Sequence, residues 1–198
     1  RVGGRRILVH GCLANALTWV PFLGVTTVGP ALVMWTVVHA VVGGALFAIY
    51  FTYATDLIPF ARRGEGIAIF GMAGMAANGI GPFTGELIIE RAGYHAFFVT
   101  AIVLGAFSAA MAVLVPLSAA QAPAPRPGGL GDGMRTALRH PGIARVLVVT
   151  VLLGVAINAA YFFVAPFVHG LGLARAGPFF AAYSASSVIL PFFVRRAL

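Results

Sequence analysis

Five stretches of this chain carry no charged side chain: residues 7–55, 66–85, 92–125, 146–174 and 176–194. A helix needs about 20 apolar residues to cross ~30 Å of hydrocarbon at ~1.5 Å per residue. The first run is long enough to cross twice, and Thr26-Thr27-Val28-Gly29-Pro30 supplies a turn between the crossings. The runs predict six spans, at about 7–25, 31–55, 66–88, 95–117, 143–168 and 174–194. Backbone groups in lipid are satisfied only in helices or in a closed barrel. The period-two alternation of barrel strands is absent from these runs. The expected fold is therefore all-α, a polytopic membrane protein of six transmembrane helices.

Composition excludes the soluble alternatives. Of 198 residues, 60% are hydrophobic and 9% charged, against about 25% charged in an ordinary soluble domain. The net charge of +8 comes from arginine alone, but these arginines punctuate apolar runs and form no nucleic-acid patch. A single cysteine, Cys12, excludes a disulfide framework. A chain without lysine cannot supply the phosphate-cradling G-x-x-x-x-G-K-[ST] of an ATP-driven pump, and H-E-x-x-H is absent. Gly129-Leu130-Gly131-Asp132 spells the G-x-G-D of intramembrane aspartyl proteases, yet it sits in a Pro/Gly-rich loop with no second aspartate inside a span. The chain is read as a non-enzyme, with no cofactor and no metal site.

Arginine placement gives an orientation. With Arg1 in the cytoplasm, 11 of the 13 arginines fall inside, and only Arg91 and Arg175 fall outside. The expectation is a multi-pass protein of the cell inner membrane with both ends cytoplasmic. The polar interval 119–142 separates four helices (1–118) from two (143–198). Its first part is rich in Ala, Pro and Gly and reads as a cytoplasmic linker. The stretch from Met134 to His140 reads either as a short basic surface helix or as more linker. The chain lacks an initiator Met and a signal peptide, and it stops just after a span, so it reads as an internal piece of a longer protein, with a six-span whole as the alternative.

Few polar groups lie inside the spans. His39 is an ionisable group about 12 Å into its span, and such groups are functional candidates by default. The alternative is a neutral histidine bonded to a neighbouring helix. Asn15, Asn78, Asn158 and Tyr161, with Tyr50 and Tyr53, either line a cavity or hold helices together. Glu86 lies near the outer end of its span, with Glu90 and Arg91 one turn further on. Ala73, Ala77, Gly81 and Gly85 recur every four residues, a spacing that lets another helix approach. Pro82 removes a backbone hydrogen bond there and is expected to bend the helix.

Arg1-Val2-Gly3-Gly4-Arg5-Arg6-Ile7-Leu8 resembles the tail of the D-R-x-G-R-R loop between the second and third helices of major facilitator superfamily transporters. His39-Ala40-Val41-Val42-Gly43-Gly44 resembles their fourth-helix pattern R-x-x-Q-G-x-G, with His in place of Arg. Gly81-Pro82-Phe83-Thr84-Gly85-Glu86 is similar to the G-P-x-x-G-G end of the fifth-helix antiporter motif, with Glu86 at the last position. Pro166 looks like the proline that bends the family's seventh helix.

The resemblance implies helices three to eight of a twelve-helix bundle, and a monomer as the full-length protein. It implies a drug- or metabolite-exporting, proton-coupled secondary transporter, whose partners are a small-molecule substrate, protons and the lipid bilayer. On it, Gly81, Pro82, Gly85 and Glu86 serve conformational change, and His39 takes a place where the family handles protons. Arg1, Arg5 and Arg6 pair with Asp56 as a latch on one conformation; simple anchoring of topology is the other reading of these charges. A superfamily uptake symporter and a non-transporting six-helix scaffold stay open as alternative functions.

Overall fold

The computed structural model describes residues 4–115, 139–172 and 175–197. Arg1, most of the central linker with the G-x-G-D stretch, and most of the proposed basic surface helix lie outside the described residues. The rest is helical, as the charge-free runs predict. Helix α1 spans Gly4–Leu17, α2 Pro30–Leu57, α5 Pro141–Gly170 and α6 Gly177–Ala197. Between α2 and α5 runs one helical stretch, Arg63–Leu114, broken at Gly93 into α3 (63–92) and α4 (94–114).

The boundaries follow local chemistry. Proline stands at the start of α2 and α5, where its missing N–H costs nothing and its fixed φ suits a first turn. Pro21 does the opposite to α1. Its ring excludes an α-helical bond four residues back, so α1 stops at Leu17 and the span continues as a 3-10 turn, Val20–Gly24. The expected single helix over 7–25 is therefore two pieces.

At Gly93 φ is 79° and ψ 176°, a region open essentially to glycine. Unbroken, the 52-residue stretch would run about 78 Å, more than twice the hydrocarbon thickness. Instead the chain folds back, and a Cβ built on Gly85 would lie 3.0 Å from the Phe97 ring. Four helical stretches of the described residues, Arg5–Gly24, Pro30–Leu57, Phe60–Leu114 and Pro141–Gly170, are long and apolar enough to cross a membrane. The third of these contains the Gly93 break, so it accounts for two crossings.

Two compact units are present, one of residues 1–120 with 179–198 and one of residues 121–178. In the first, α1, α2 and α4 share a core of Leu8, Cys12, Leu46, Ala109 and Ala112. Small residues bring these helices close. A Cβ on Gly105 would lie 2.7 Å from that of Ala16, and one on Gly11 would lie 2.8 Å from Leu46. Outside this core large apolar side chains face outward, including Val33, Phe47, Val103 and Phe107. An apolar exterior is what a lipid environment requires and what water would penalise. In the second unit α5 presents Val149, Leu152, Phe162 and Phe163 outward in the same way.

Candidate functional site

The turn that Pro21 forces on α1 places Thr18 and Trp19 beside α2. The Thr18 hydroxyl donates to the Asn15 carbonyl at 2.6 Å and lies 2.7 Å from His39 Nδ1. Thr18 has one hydroxyl proton, and the Asn15 bond uses it. His39 Nδ1–H is then the donor to Thr18, which leaves Nε2 as the basic nitrogen of the neutral ring. Trp19 lies over the same imidazole, with ring centroids 4.2 Å apart and planes tilted by 51°. Trp19 is in turn packed on Phe97 and Phe98, both at 6.2 Å, and Phe22 meets Phe98 at 5.5 Å. The histidine is thus held by one hydroxyl and screened by an aromatic cluster of Trp19, which follows α1, Phe22 of the 3-10 turn, and Phe97 and Phe98 of α4.

One turn further along α2, Gly43 lets α1 approach. A Cβ there would be 3.5 Å from Asn15 Oδ1. Further on, Tyr50 closes a second polar group. Its hydroxyl is 3.1 Å from Cys12 Sγ and 3.3 Å from Ser108 Oγ, and Ser108 donates to Cys12 Sγ at 3.8 Å. Each of the three groups has one proton, so a ring in which Tyr50 donates to Ser108, Ser108 to Cys12 and Cys12 to Tyr50 satisfies all of them. His39, Gly43, Leu46 and Tyr50 therefore form one face of α2 against α1, polar at both ends and apolar between.

Another face of α2 borders a cavity of about 420 Å³ shared with α3. Phe47, Phe51 and Phe70 wall it, with Tyr50, Gly74 and Asn78 among the remaining lining. A third contact joins α3 to α6. Gly79 is buried, and the space its Cβ would take holds the Ser184 side chain. The Ser184 hydroxyl donates to the Met75 carbonyl at 2.7 Å.

These contacts sort the sequence-predicted residues. His39 and Asn15 come together, and Asn78 lines the α2–α3 cavity. Gly85 packs on Phe97, but Ala73, Ala77 and Gly81 are exposed, and an added Cβ on Gly81 would meet nothing within 4 Å. The close approach on α3 falls instead on Gly79. Pro82 stays within a continuous helix, and the break in the stretch is at Gly93. Glu86 is half-buried and engaged with other groups. In the other unit, Asn158 donates to the Gly154 carbonyl of its own helix at 2.7 Å, and Tyr161 is half-buried.

The expected pairing of Arg5 or Arg6 with Asp56 is not formed. Among the described residues no ion pair joins them, and Arg1 lies outside those residues. Arg6 and Asp56 are exposed, and an exposed pair gains only about 0–1 kcal/mol over hydration. Thr18, Trp19, Cys12, Ser108, Gly79 and Ser184 were not singled out by sequence. Thr18 and Trp19 carried a signal, since Pro21 marks the end of α1 and a polar–aromatic pair next to it is placed to meet the following helix.

The model of the Major Facilitator Superfamily matches residues 1–198. Multidrug resistance protein 3 of Bacillus subtilis is 29% identical over 106 residues, which are 54% of this chain and 20% of that protein. The chain thus aligns with about a fifth of the length of the curated relative it matches. No solved structure matches.

Proposed function

The chain belongs to the Major Facilitator Superfamily, and from that premise we propose that it serves proton-coupled export of small molecules across the cell inner membrane by alternating access. In this reading its helices stand third to eighth of twelve, residues 1–118 complete one bundle, 119–142 link the bundles on the cytoplasmic side, and 143–198 begin the next. The name of the Bacillus relative, a multidrug resistance protein, supports small molecules as the solute. The observation that carries the coupling is His39, held by Thr18 in one tautomer inside the span.

The arrangement suits a proton carrier. Nδ1 stays committed to Thr18 in both charge states, so Nε2 gains and loses the proton without a rearrangement of the ring. Protonated, the imidazolium lies under the face of Trp19, an attraction of about 0.5–2 kcal/mol. The groups that face it are Thr18 and Trp19 of the turn after α1 and the Asn15 backbone, with Phe97 and Phe98 of α4 behind Trp19. None of these is an acid. The closest acid on α2 is Asp56, 17 residues on, or about 25 Å along the helix. The α3–α6 contact at Gly79 and Ser184 joins the two proposed bundles, and close backbone approach there supports a seam that slides as the bundles rock.

The test uses the complete reading frame that carries this chain, in everted membrane vesicles with an acid interior. A panel of fluorescent lipophilic dyes is followed. Accumulation of at least one dye, collapsed by a protonophore, is expected. Correctly inserted protein that accumulates no dye under the gradient would overturn the reading.

A further inference from the structure

We infer that the exposed face of α1 is a binding site for an anionic phospholipid, with Arg6 and His10 on its phosphate and aliphatic side chains along its tail. The inference goes beyond the transport reading and requires only that α1 crosses the membrane.

Helix α1 has two faces. Leu8, Cys12 and Ala16, four residues apart, are buried against α2 and α4. Arg6, His10, Leu13 and Leu17 follow the helical spacing i, i+4, i+7, i+11 and form an exposed stripe on another side, with Ile7 beside Arg6. Ile7, Leu13 and Leu17 are 43%, 44% and 66% exposed. The stripe passes from two basic residues at the start of the span to aliphatic ones within it. That is the polarity profile of a phospholipid, read from headgroup to tail.

The basic end has no counter-charge. Among the described residues no carboxylate pairs with Arg6 or His10. The Arg6 carbonyl can only accept, so its 2.6 Å contact with His10 Nδ1 is a donation by Nδ1–H. That bond ties the ring to the backbone of α1 and leaves Nε2 as its uncommitted nitrogen. His10 lies one turn, about 6 Å, inside Arg6, where acyl chains offer a polar group no partner. A phosphate at the membrane surface meets both residues. The Arg6 guanidinium binds it through parallel N–H donors, and the imidazole, when protonated, adds Nε2–H from below.

Charge and tail together select the occupant. A zwitterionic choline headgroup brings its own cation to Arg6, whereas an anionic headgroup brings none. A free phosphate leaves the aliphatic part of the stripe unused.

The experiment takes the complete reading frame that carries this chain, purified, and reads lipid binding by native mass spectrometry. The probes are phosphatidylglycerol and phosphatidylcholine with identical acyl chains. Phosphatidylglycerol is expected to bind at least about fivefold tighter. Arg6→Gln and His10→Leu are each expected to weaken it about fivefold, the worth of about one surface charge, with phosphatidylcholine binding unchanged and the melting temperature within a few degrees. His10→Arg, a permanent cation at the same place, retains or tightens phosphatidylglycerol binding. Arg62→Gln removes an exposed charge from the turn between α2 and α3 and leaves that binding unchanged. Equal affinity for the two lipids would overturn the inference. So would equal weakening by Arg62→Gln, which would assign the preference to general surface charge. Unchanged phosphatidylglycerol binding in both Arg6→Gln and His10→Leu, the result if another helix covers this face, would overturn it as well. Displacement of the lipid by inorganic phosphate at equal concentration would show that the anion alone is bound and would also overturn it.

Discussion

Gly79 and Gly81 lie two residues apart on α3, and alanine at the two positions is expected to act with opposite sign. A Cβ at Gly79 would fall on the Ser184 side chain and 2.5 Å from the Phe180 carbonyl oxygen. Ser184 can rotate, but the Phe180 oxygen is backbone, so α6 has to move. Overpacking of this kind costs about 1–3 kcal/mol, and loss of the Ser184–Met75 hydrogen bond adds about 1 kcal/mol. The better helix propensity of alanine returns up to about 1 kcal/mol. The net loss is about 1–4 kcal/mol, or about 2–16 °C in melting temperature for a chain of this size. At Gly81 nothing lies within 4 Å of an added Cβ, so only the propensity gain of up to about 1 kcal/mol remains. Cys12 provides the assay. It is the chain's single cysteine and 2% exposed, so a thiol-reactive dye reports unfolding in detergent. A Gly79→Ala midpoint equal to or above that of Gly81→Ala would refute the packing argument.

Other expectations follow from the same contacts. Tyr50→Phe opens the Cys12–Tyr50–Ser108 ring and should cost about 1 kcal/mol in the same dye assay, while an unchanged midpoint would mean the ring contributes nothing. Asp56→Asn should leave stability within about 0.5 kcal/mol, because the carboxylate is exposed and, among the described residues, forms no ion pair with Arg5 or Arg6; a larger loss would refute this. For topology, reporters fused after Pro125 and Leu198 should read cytoplasmic, and those at Gly29, Gly93 and Gly172 external. A cytoplasmic signal at Gly93 would contradict the orientation.

The spans were legible because a bilayer penalises charge so heavily that its absence marks each crossing. The gap expected between 88 and 95 contains Gly93, where the backbone turns. What sequence could not give is pairing between distant positions. Cys12, Tyr50 and Ser108 are separated by 38 and 58 residues, and nothing local in any of them indicates the other two. The packing face of α3 was misplaced for a different reason. Small residues occur all round this helix, at Gly71, Ala73, Gly74, Ala76, Ala77, Gly79 and Gly81, so a four-residue spacing can be drawn through several faces. Pro21 is visible in the sequence, but inside an apolar run nothing local shows that the turn it forces carries Thr18 and Trp19 onto His39.

The central claim is that His39 couples transport to protons, and its gradient dependence tests this most directly. In the complete reading frame, His39→Ala and His39→Gln remove the exchangeable nitrogen and spare the apolar span. Solute flux in vesicles is measured against imposed pH differences, with membrane insertion checked for each variant. The account predicts that both variants insert normally and lose most of the dependence on the pH difference. His39→Arg, always charged, restores part of the flux if only the charge matters. Unchanged gradient dependence in both His39→Ala and His39→Gln would contradict the account and leave His39 as a hydrogen-bonded link between α1 and α2.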